Sequence, residues 1–239
     1  MNSHRIIIAL DVESAAQARD LVARLGDSVS FYKVGMELYA AAGMEFVREL
    51  VEDGKQVFLD LKFYDIGETV KRAVARVAQT GVRFLTVHGS QAVMRAAVEG
   101  RGAARLQLLA VTVLTSFDRD DLADLGYPCE VSELVKLRVR KAMEAGMDGI
   151  VCSPLEVREV RAMTGPRAVL VTPGVRSAGA SAGDQKRVAT PAEAIRNGAD
   201  YLVIGRQVTR AADPAAEVIR IVQEIQNSTG QEPGSSRRV

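Results

Sequence analysis

The chain has 239 residues, 47% of them hydrophobic, and its 31 basic and 30 acidic side chains leave a net charge of +1. So even a balance gives no electrostatic footprint for nucleic acid or an anionic membrane, and any anionic ligand must be held by local groups. Two cysteines (Cys129, Cys152) and two histidines (His4, His88) are too few for a disulfide framework, a cysteine metal site or a multi-histidine metal site; with no secretory apolar segment and no long apolar span, the chain is expected in the reducing cytoplasm.

Short apolar runs alternate with amphipathic stretches in chain order. The runs lie at residues 6–10, 30–34, 57–61, 84–87, 106–114, 149–151, 169–171 and 201–204. Runs apolar on both faces are expected of parallel strands covered by helices. Helical periodicity fills the intervals at 14–25, 36–52, 69–80, 132–145, 154–163 and 191–197. Ser14 and Thr190 are expected N-caps, the latter with Pro191 at the first helical position. Gly26, Gly54, Gly81, Gly146 and Gly198 precede the next run, as helix C-capping requires. Eight such units predict a single-domain α/β TIM (β/α)8 barrel over residues 1–226. A doubly wound open sheet is the alternative, but no G-x-G-x-x-G follows the first run. Residues 227–239 are polar, rich in Ser, Gly and Arg, and expected to be disordered.

In such a barrel the site is built at the carboxyl ends of the strands. The third run ends in Asp60-Leu61-Lys62-Phe63-Tyr64-Asp65. Side chains two apart on a strand share a face, so Asp60 and Lys62 project together. Taken alone, this segment fits a salt-bridged strand end as well as a reaction centre. The other strand ends carry Asp11, Lys33, His88, Thr115-Ser116, Ser153, Thr172-Pro173-Gly174-Val175-Arg176 and Gly205-Arg206. Carboxylates and ammoniums alternating over three consecutive strands favour a functional role for Asp11, Lys33, Asp60 and Lys62. Gly205-Arg206 follows the last strand, where many barrels bind phosphate; glycine permits close backbone approach and arginine offers a planar fork. The small-residue-rich loop 176–189 suits a lid, with Gln185 as an amide donor; its alternative is an ordinary surface loop.

These residues resemble a known family, orotidine 5′-monophosphate decarboxylase. The marker is Asp60-Leu61-Lys62-Phe63-Tyr64-Asp65-Ile66 with Thr69. It is supported in order by Leu10-Asp11, Tyr32-Lys33-Val34-Gly35, Val87-His88-Gly89, Leu114-Thr115-Ser116, Thr172 to Arg176, Asp184-Gln185-Lys186-Arg187 and Val203-Ile204-Gly205-Arg206. The resemblance implies cofactor-independent decarboxylation of orotidine 5′-monophosphate to UMP. Lys62 would donate a proton to C6, Asp60 would lie beside the departing carboxylate, and Lys33 would link the charge array. Asp11 and Lys33 would contact ribose and Thr115 the pyrimidine. Pro173 would form a wall, and Arg176, Gln185, Gly205 and Arg206 would bind phosphate. It also implies a homodimer in which Asp65 and Thr69 enter the neighbouring subunit's site. For His88, a buried hydrogen-bonded role weighs at least as much as a catalytic one. Tyr64 stands where histidine is common in the family, and Gly67 and Gln207 where proline is common; Gly67 leaves the segment carrying Asp65 freer. Metal-dependent barrels of the same superfamily place a carboxylate on strand two to hold magnesium. Here that strand carries Lys33, whose ammonium cannot ligate a cation. A non-catalytic nucleotide-binding barrel would not need buried carboxylates near an anionic ligand.

Overall fold

Eight parallel strands close into a barrel in sequence order in the computed structural model, which describes residues 2–178 and 189–229. They are β1 (Ile6–Ala9), β2 (Phe31–Gly35), β3 (Gln56–Phe63), β4 (Phe84–Val87), β5 (Gln107–Val111), β6 (Gly149–Val151), β7 (Val169–Thr172) and β8 (Tyr201–Ile204), and β8 pairs back to β1. The helices between and around them are α1 (Ala15–Leu25), α2 (Met36–Glu52), α3 (Gly67–Val77), α4 (Gln91–Arg101), α5 (Arg119–Asp124), α6 (Val131–Ala145), α7 (Val157–Thr164), α8 (Pro191–Arg196), α9 (Arg206–Thr209) and α10 (Pro214–Thr229).

The period-two alternation of the strands divides the apolar residues into two cores. Ile6, Ile8, Tyr32, Val34, Val57, Leu59, Leu85 and Val87 face outward and pack with buried helix residues such as Leu21, Phe46, Val74 and Ile221. Ile7, Ala9, Phe31, Phe58, Phe84, Leu109, Val171 and Val203 form the smaller second core inside the barrel. At its amino-terminal mouth the Arg83 guanidinium lies 5.3, 5.2 and 5.2 Å from the ring centroids of Phe31, Phe84 and Tyr201. It donates to the Gln56 side-chain carbonyl and to the Tyr201 hydroxyl, so this cation is solvated by aromatic faces and neutral acceptors.

The expected caps are present. Ser14 accepts the Gln17 amide, and Thr190 forms a reciprocal capping box with Glu193 ahead of Pro191. Some boundaries differ for local reasons. Strand β5 leaves the sheet after Val111 although the apolar run continues to Leu114, and the Thr112 carbonyl is taken by Arg138 instead of the sheet. Helix α7 starts at Val157, not at residue 154. Glu156 accepts the Ser153 amide and Ser153 accepts that of Leu155, making a turn of residues 153–156. Helix α10 continues to Thr229, three residues past the expected end of the folded unit, and residues 230–239 lie outside the described residues. Among the described residues no helix is long and apolar enough to cross a membrane.

Candidate active site

The charged residues at the carboxyl-terminal mouth stand directly above the barrel's aromatic layer. Phe31, Phe58 and Phe84 face inward, and two residues further along the same strands come Lys33, Asp60 and Thr86. Lys33 is only 9% exposed, and its Nζ lies 2.7 Å from Asp11 Oδ1 and 3.9 Å from Asp60 Oδ2. On the other side of Asp60, Lys62 Nζ lies 2.9 Å from Oδ1. Asp11, Lys33, Asp60 and Lys62 thus form one alternating chain across three strand ends. An unpaired cation buried this far would be strongly disfavoured, and the flanking carboxylates are what allow Lys33 to stay there.

Two backbone features make that chain possible. The pairing of β3 with β4 shifts register between Leu59 and Phe63, and Lys62, inside the shift, has φ of 48°. Among the described residues it is the one non-glycine at positive φ, a conformation that a lysine holds only under constraint from its surroundings. The other feature is Gly35. A Cβ at that position would come within 2.9 Å of Lys33 Nζ and 3.1 Å of Asp11 Oδ1, so only hydrogen leaves room for the pair. Thr86 completes the arrangement. Its fully buried hydroxyl donates to Asp60 Oδ1 at 2.9 Å and accepts the Lys62 backbone amide at 2.9 Å.

Two adjoining cavities open onto this array. The larger, about 650 Å³, is lined by residues that include Asp11, Lys33, Arg176, Gly205 and Arg206 together with Glu37 and Arg210. The smaller, about 210 Å³, is lined by the polar Asp60, Lys62, Thr115 and Ser116 and by the apolar Phe58, Val111 and Val151. Lys33, Pro173 and Val203 belong to both. One chamber is polar, with Lys33, Arg176, Arg206 and Arg210 set against Asp11, Glu13 and Glu37, and the other is half-apolar with Lys62 in its wall. Burial, and next the like charge of Arg206, push the Arg176 guanidinium below its ordinary value. A pair of mutually repelling guanidiniums in one wall is relieved by an anion between them.

The carriers of those two cations are tied together by Gln207, whose role as a clamp no motif or spacing announces. The Gln207 side chain accepts the Ser177 amide at 3.1 Å and donates to the Ser177 hydroxyl at 2.9 Å, while also donating to Glu217 on α10 at 2.8 Å. The segment following β7, which bears Arg176, is thereby clamped to α9, which begins with Arg206.

Not every expected residue joins the array. Asp65 and Thr69 are exposed, and the Asp65 carboxylate accepts the Ile66 amide at 2.6 Å; among the described residues it has no ion pair within 4.0 Å. Beside it Tyr64 and Ile66 are 68% and 76% exposed, an uncovered apolar edge on the same turn. Gln185 lies outside the described residues. Gly67 starts α3 and faces α4, where a Cβ would lie 3.4 Å from that of Ala96. His88 is half-buried, its backbone amide bonded to the Phe63 carbonyl at 3.0 Å and its ring 5.9 Å from the edge-on ring of Tyr64. Desolvation, then the charges of Arg138 and Lys62, push its imidazole below the usual value, so it is neutral at neutral pH.

Residues 4–221 match the family described as orotidine 5′-phosphate decarboxylase / HUMPS. A protein of Rhodopseudomonas palustris named orotidine 5′-phosphate decarboxylase is 54% identical over 94% of this chain and 96% of its own. One of the same name from a Bradyrhizobium species is 54% identical over 92% of this chain and 91% of its own. Among solved structures, orotidine 5′-phosphate decarboxylase from Lactobacillus acidophilus superposes with a TM-score of 0.81 at 35% identity, covering 93% of this chain and 99% of that one. With a closed eight-stranded barrel and a charged array at its carboxyl mouth, the chain belongs to the orotidine 5′-phosphate decarboxylase / HUMPS family.

Proposed function

We propose that this protein decarboxylates orotidine 5′-monophosphate to UMP and carbon dioxide in de novo pyrimidine synthesis, without a cofactor. The observation that carries the reading is the Asp11–Lys33–Asp60–Lys62 chain running from a chamber lined by Arg176 and Arg206 to a half-apolar one with the Lys62 ammonium in its wall. The phosphate would lie by Arg176, Gly205 and Arg206, joined by Gln185. Ribose would meet Asp11 and Lys33, and the pyrimidine would enter the half-apolar chamber past Pro173 towards Thr115.

The C6–carboxylate bond then breaks beside Asp60, leaving its electron pair on C6 in an orbital with no conjugated sink. Fixed charge has to stabilise that pair. At about 4 Å and an effective dielectric near 20, an ammonium contributes roughly 4 kcal/mol. Lys62 fits that role and then transfers a proton to C6, recovering it from water afterwards. Closeness of the Asp60 carboxylate to that of the substrate adds electrostatic stress relieved as carbon dioxide departs. Binding of the distant phosphate supplies energy to hold the base in the half-apolar chamber.

The active form is proposed to be a homodimer, with Asp65 and Thr69 completing the neighbouring site. Support comes from the exposed Tyr64 and Ile66 beside Asp65 and from the adjoining 530 Å³ groove lined by Leu125, Tyr127 and Leu137. A chain with only two cysteines, Cys129 and Cys152, suits a cytoplasmic setting.

Loss of orotidine 5′-monophosphate absorbance on adding purified protein tests the activity, with and without a chelator. Turnover insensitive to chelator is the expected result; no turnover would remove the proposal, and chelator-sensitive turnover would replace it with a metal-dependent one. Sedimentation velocity across a dilution series tests the dimer, with specific activity expected to fall as monomer appears.

A further inference from the structure

From the geometry of β4 we infer that Thr86 is a positioning residue for the decarboxylation, holding Lys62 and Asp60 in a single reactive arrangement through one hydroxyl; the inference rests on the reaction proposed above. Thr86 is the one polar residue of β4, and it is fully buried, facing the barrel interior one step above Phe84. In a regular parallel ladder the Lys62 amide would bond to a backbone carbonyl of the neighbouring strand. The register shift between Leu59 and Phe63 removes that partner, and the Thr86 Oγ1 takes its place at 2.9 Å. A hydroxyl has one proton and two lone pairs, so having accepted the amide it can still donate. It donates to Asp60 Oδ1, the oxygen that also receives Lys62 Nζ, both at 2.9 Å.

A single oxygen atom therefore fixes both ends of Lys62. It secures the backbone at the left-handed turn, and it orients the carboxylate against which the ammonium is held. Without the hydroxyl, the amide loses its acceptor and the main reason for φ of 48° disappears. Lys62 and the Asp60 oxygen can then drift by tenths of an ångström, which a reaction depending on charge placement registers far more than binding does. Thr86 itself is absent from the walls of both cavities, so its loss removes no direct contact with phosphate, ribose or base.

The experiment compares Thr86→Val, which keeps the shape, with Thr86→Ser, which keeps the hydroxyl. For Thr86→Val, kcat is expected to fall by about 10- to 100-fold while KM and the Kd for UMP stay within about threefold. Thr86→Ser is expected to recover kcat to within about fivefold of wild type. The Lys62 amide, followed by hydrogen exchange in the NMR spectrum, should exchange faster in Thr86→Val and remain protected in Thr86→Ser. An unchanged kcat in Thr86→Val, or equal losses in kcat and UMP affinity, would overturn the positioning role, as would a serine variant as impaired as the valine one. If Thr86→Val does not fold, Thr86→Ala takes its place with the same expectations. Wild-type turnover decides the reaction itself. The exchange measurement decides the Thr86 contact independently, and a Lys62 amide as protected in Thr86→Val as in wild type would overturn it whatever the activity.

Discussion

Both mouths of this barrel hold buried or half-buried cations, and they stabilise them in opposite ways. At the amino-terminal mouth Arg83 is surrounded by Phe31, Phe84 and Tyr201 and hydrogen-bonded to neutral acceptors. At the carboxyl-terminal mouth Lys33 and Lys62 are held by Asp11 and Asp60, with two cavities open to them. Aromatic faces lower the energy of a cation without offering a proton acceptor or a counter-charge that a ligand could displace. Carboxylates do offer one, and an alternating chain of them leaves each ammonium ready to interact with charge that develops nearby. Burial of charge alone therefore does not mark the reactive end; the nature of the partners does.

Substitutions can break that contrast from either side. The largest effect is expected for Lys62→Ala, with turnover down by about a thousandfold or more, since both charge stabilisation and proton donation disappear. Fold and UMP affinity should be largely kept, as judged by circular dichroism and calorimetry; near-normal turnover would take Lys62 out of the mechanism. Next is Arg206→Ala, which should raise KM and the Kd for UMP by about 10- to 100-fold through the loss of a charged hydrogen bond to phosphate. Unchanged UMP affinity would remove Arg206 from that role. Arg83→Met addresses the opposite mouth. It should lower stability by about 2 kcal/mol, or about 4–8 °C in Tm, while kcat stays within about twofold.

The smallest effect concerns His88. Its folded value is lowered from 6.5, mainly by desolvation, so the neutral ring contributes stability that is complete above the unfolded value and is lost as pH falls through the lower folded one. Between about pH 7 and about pH 5 the Tm of the wild type should therefore fall more steeply than that of His88→Gln; equal slopes would show that His88 titrates alike in both states.

Much of this could be read from the residues. The eight apolar runs were legible because strands covered on both sides cannot afford polar positions, so Asp60 and Lys62 stood out against Val57-Phe58-Leu59. The fold and the four-residue charge chain follow from that contrast. What lay hidden depends on geometry that spacing does not encode. The register shift in β3 leaves no mark in Leu59 to Phe63, so neither the left-handed Lys62 nor its need for a hydroxyl across the sheet was visible. Thr86 was the one signal, a lone hydroxyl in Phe84-Leu85-Thr86-Val87, and a β-branched threonine is too ordinary in a strand to attract notice. The Gln207 clamp on Ser177 joins residues 30 apart, with α8 and β8 between them, which periodicity cannot bring together. Strand β5 ends before the apolar run does because Leu114 is apolar for a different reason, as a wall of the smaller cavity.

The missing side chain at Gly35 has a practical consequence. A methyl group there would collide with the flexible tip of Lys33, not with backbone, and the local φ of −94° accommodates alanine without strain. Gly35→Ala should thus give a folded protein of identical formal charge, inactive because its ammonium has been nudged aside. Such an isoelectric variant would test the placement of the Lys33–Asp11 pair, in ligand binding and turnover together, without deleting any ionisable group.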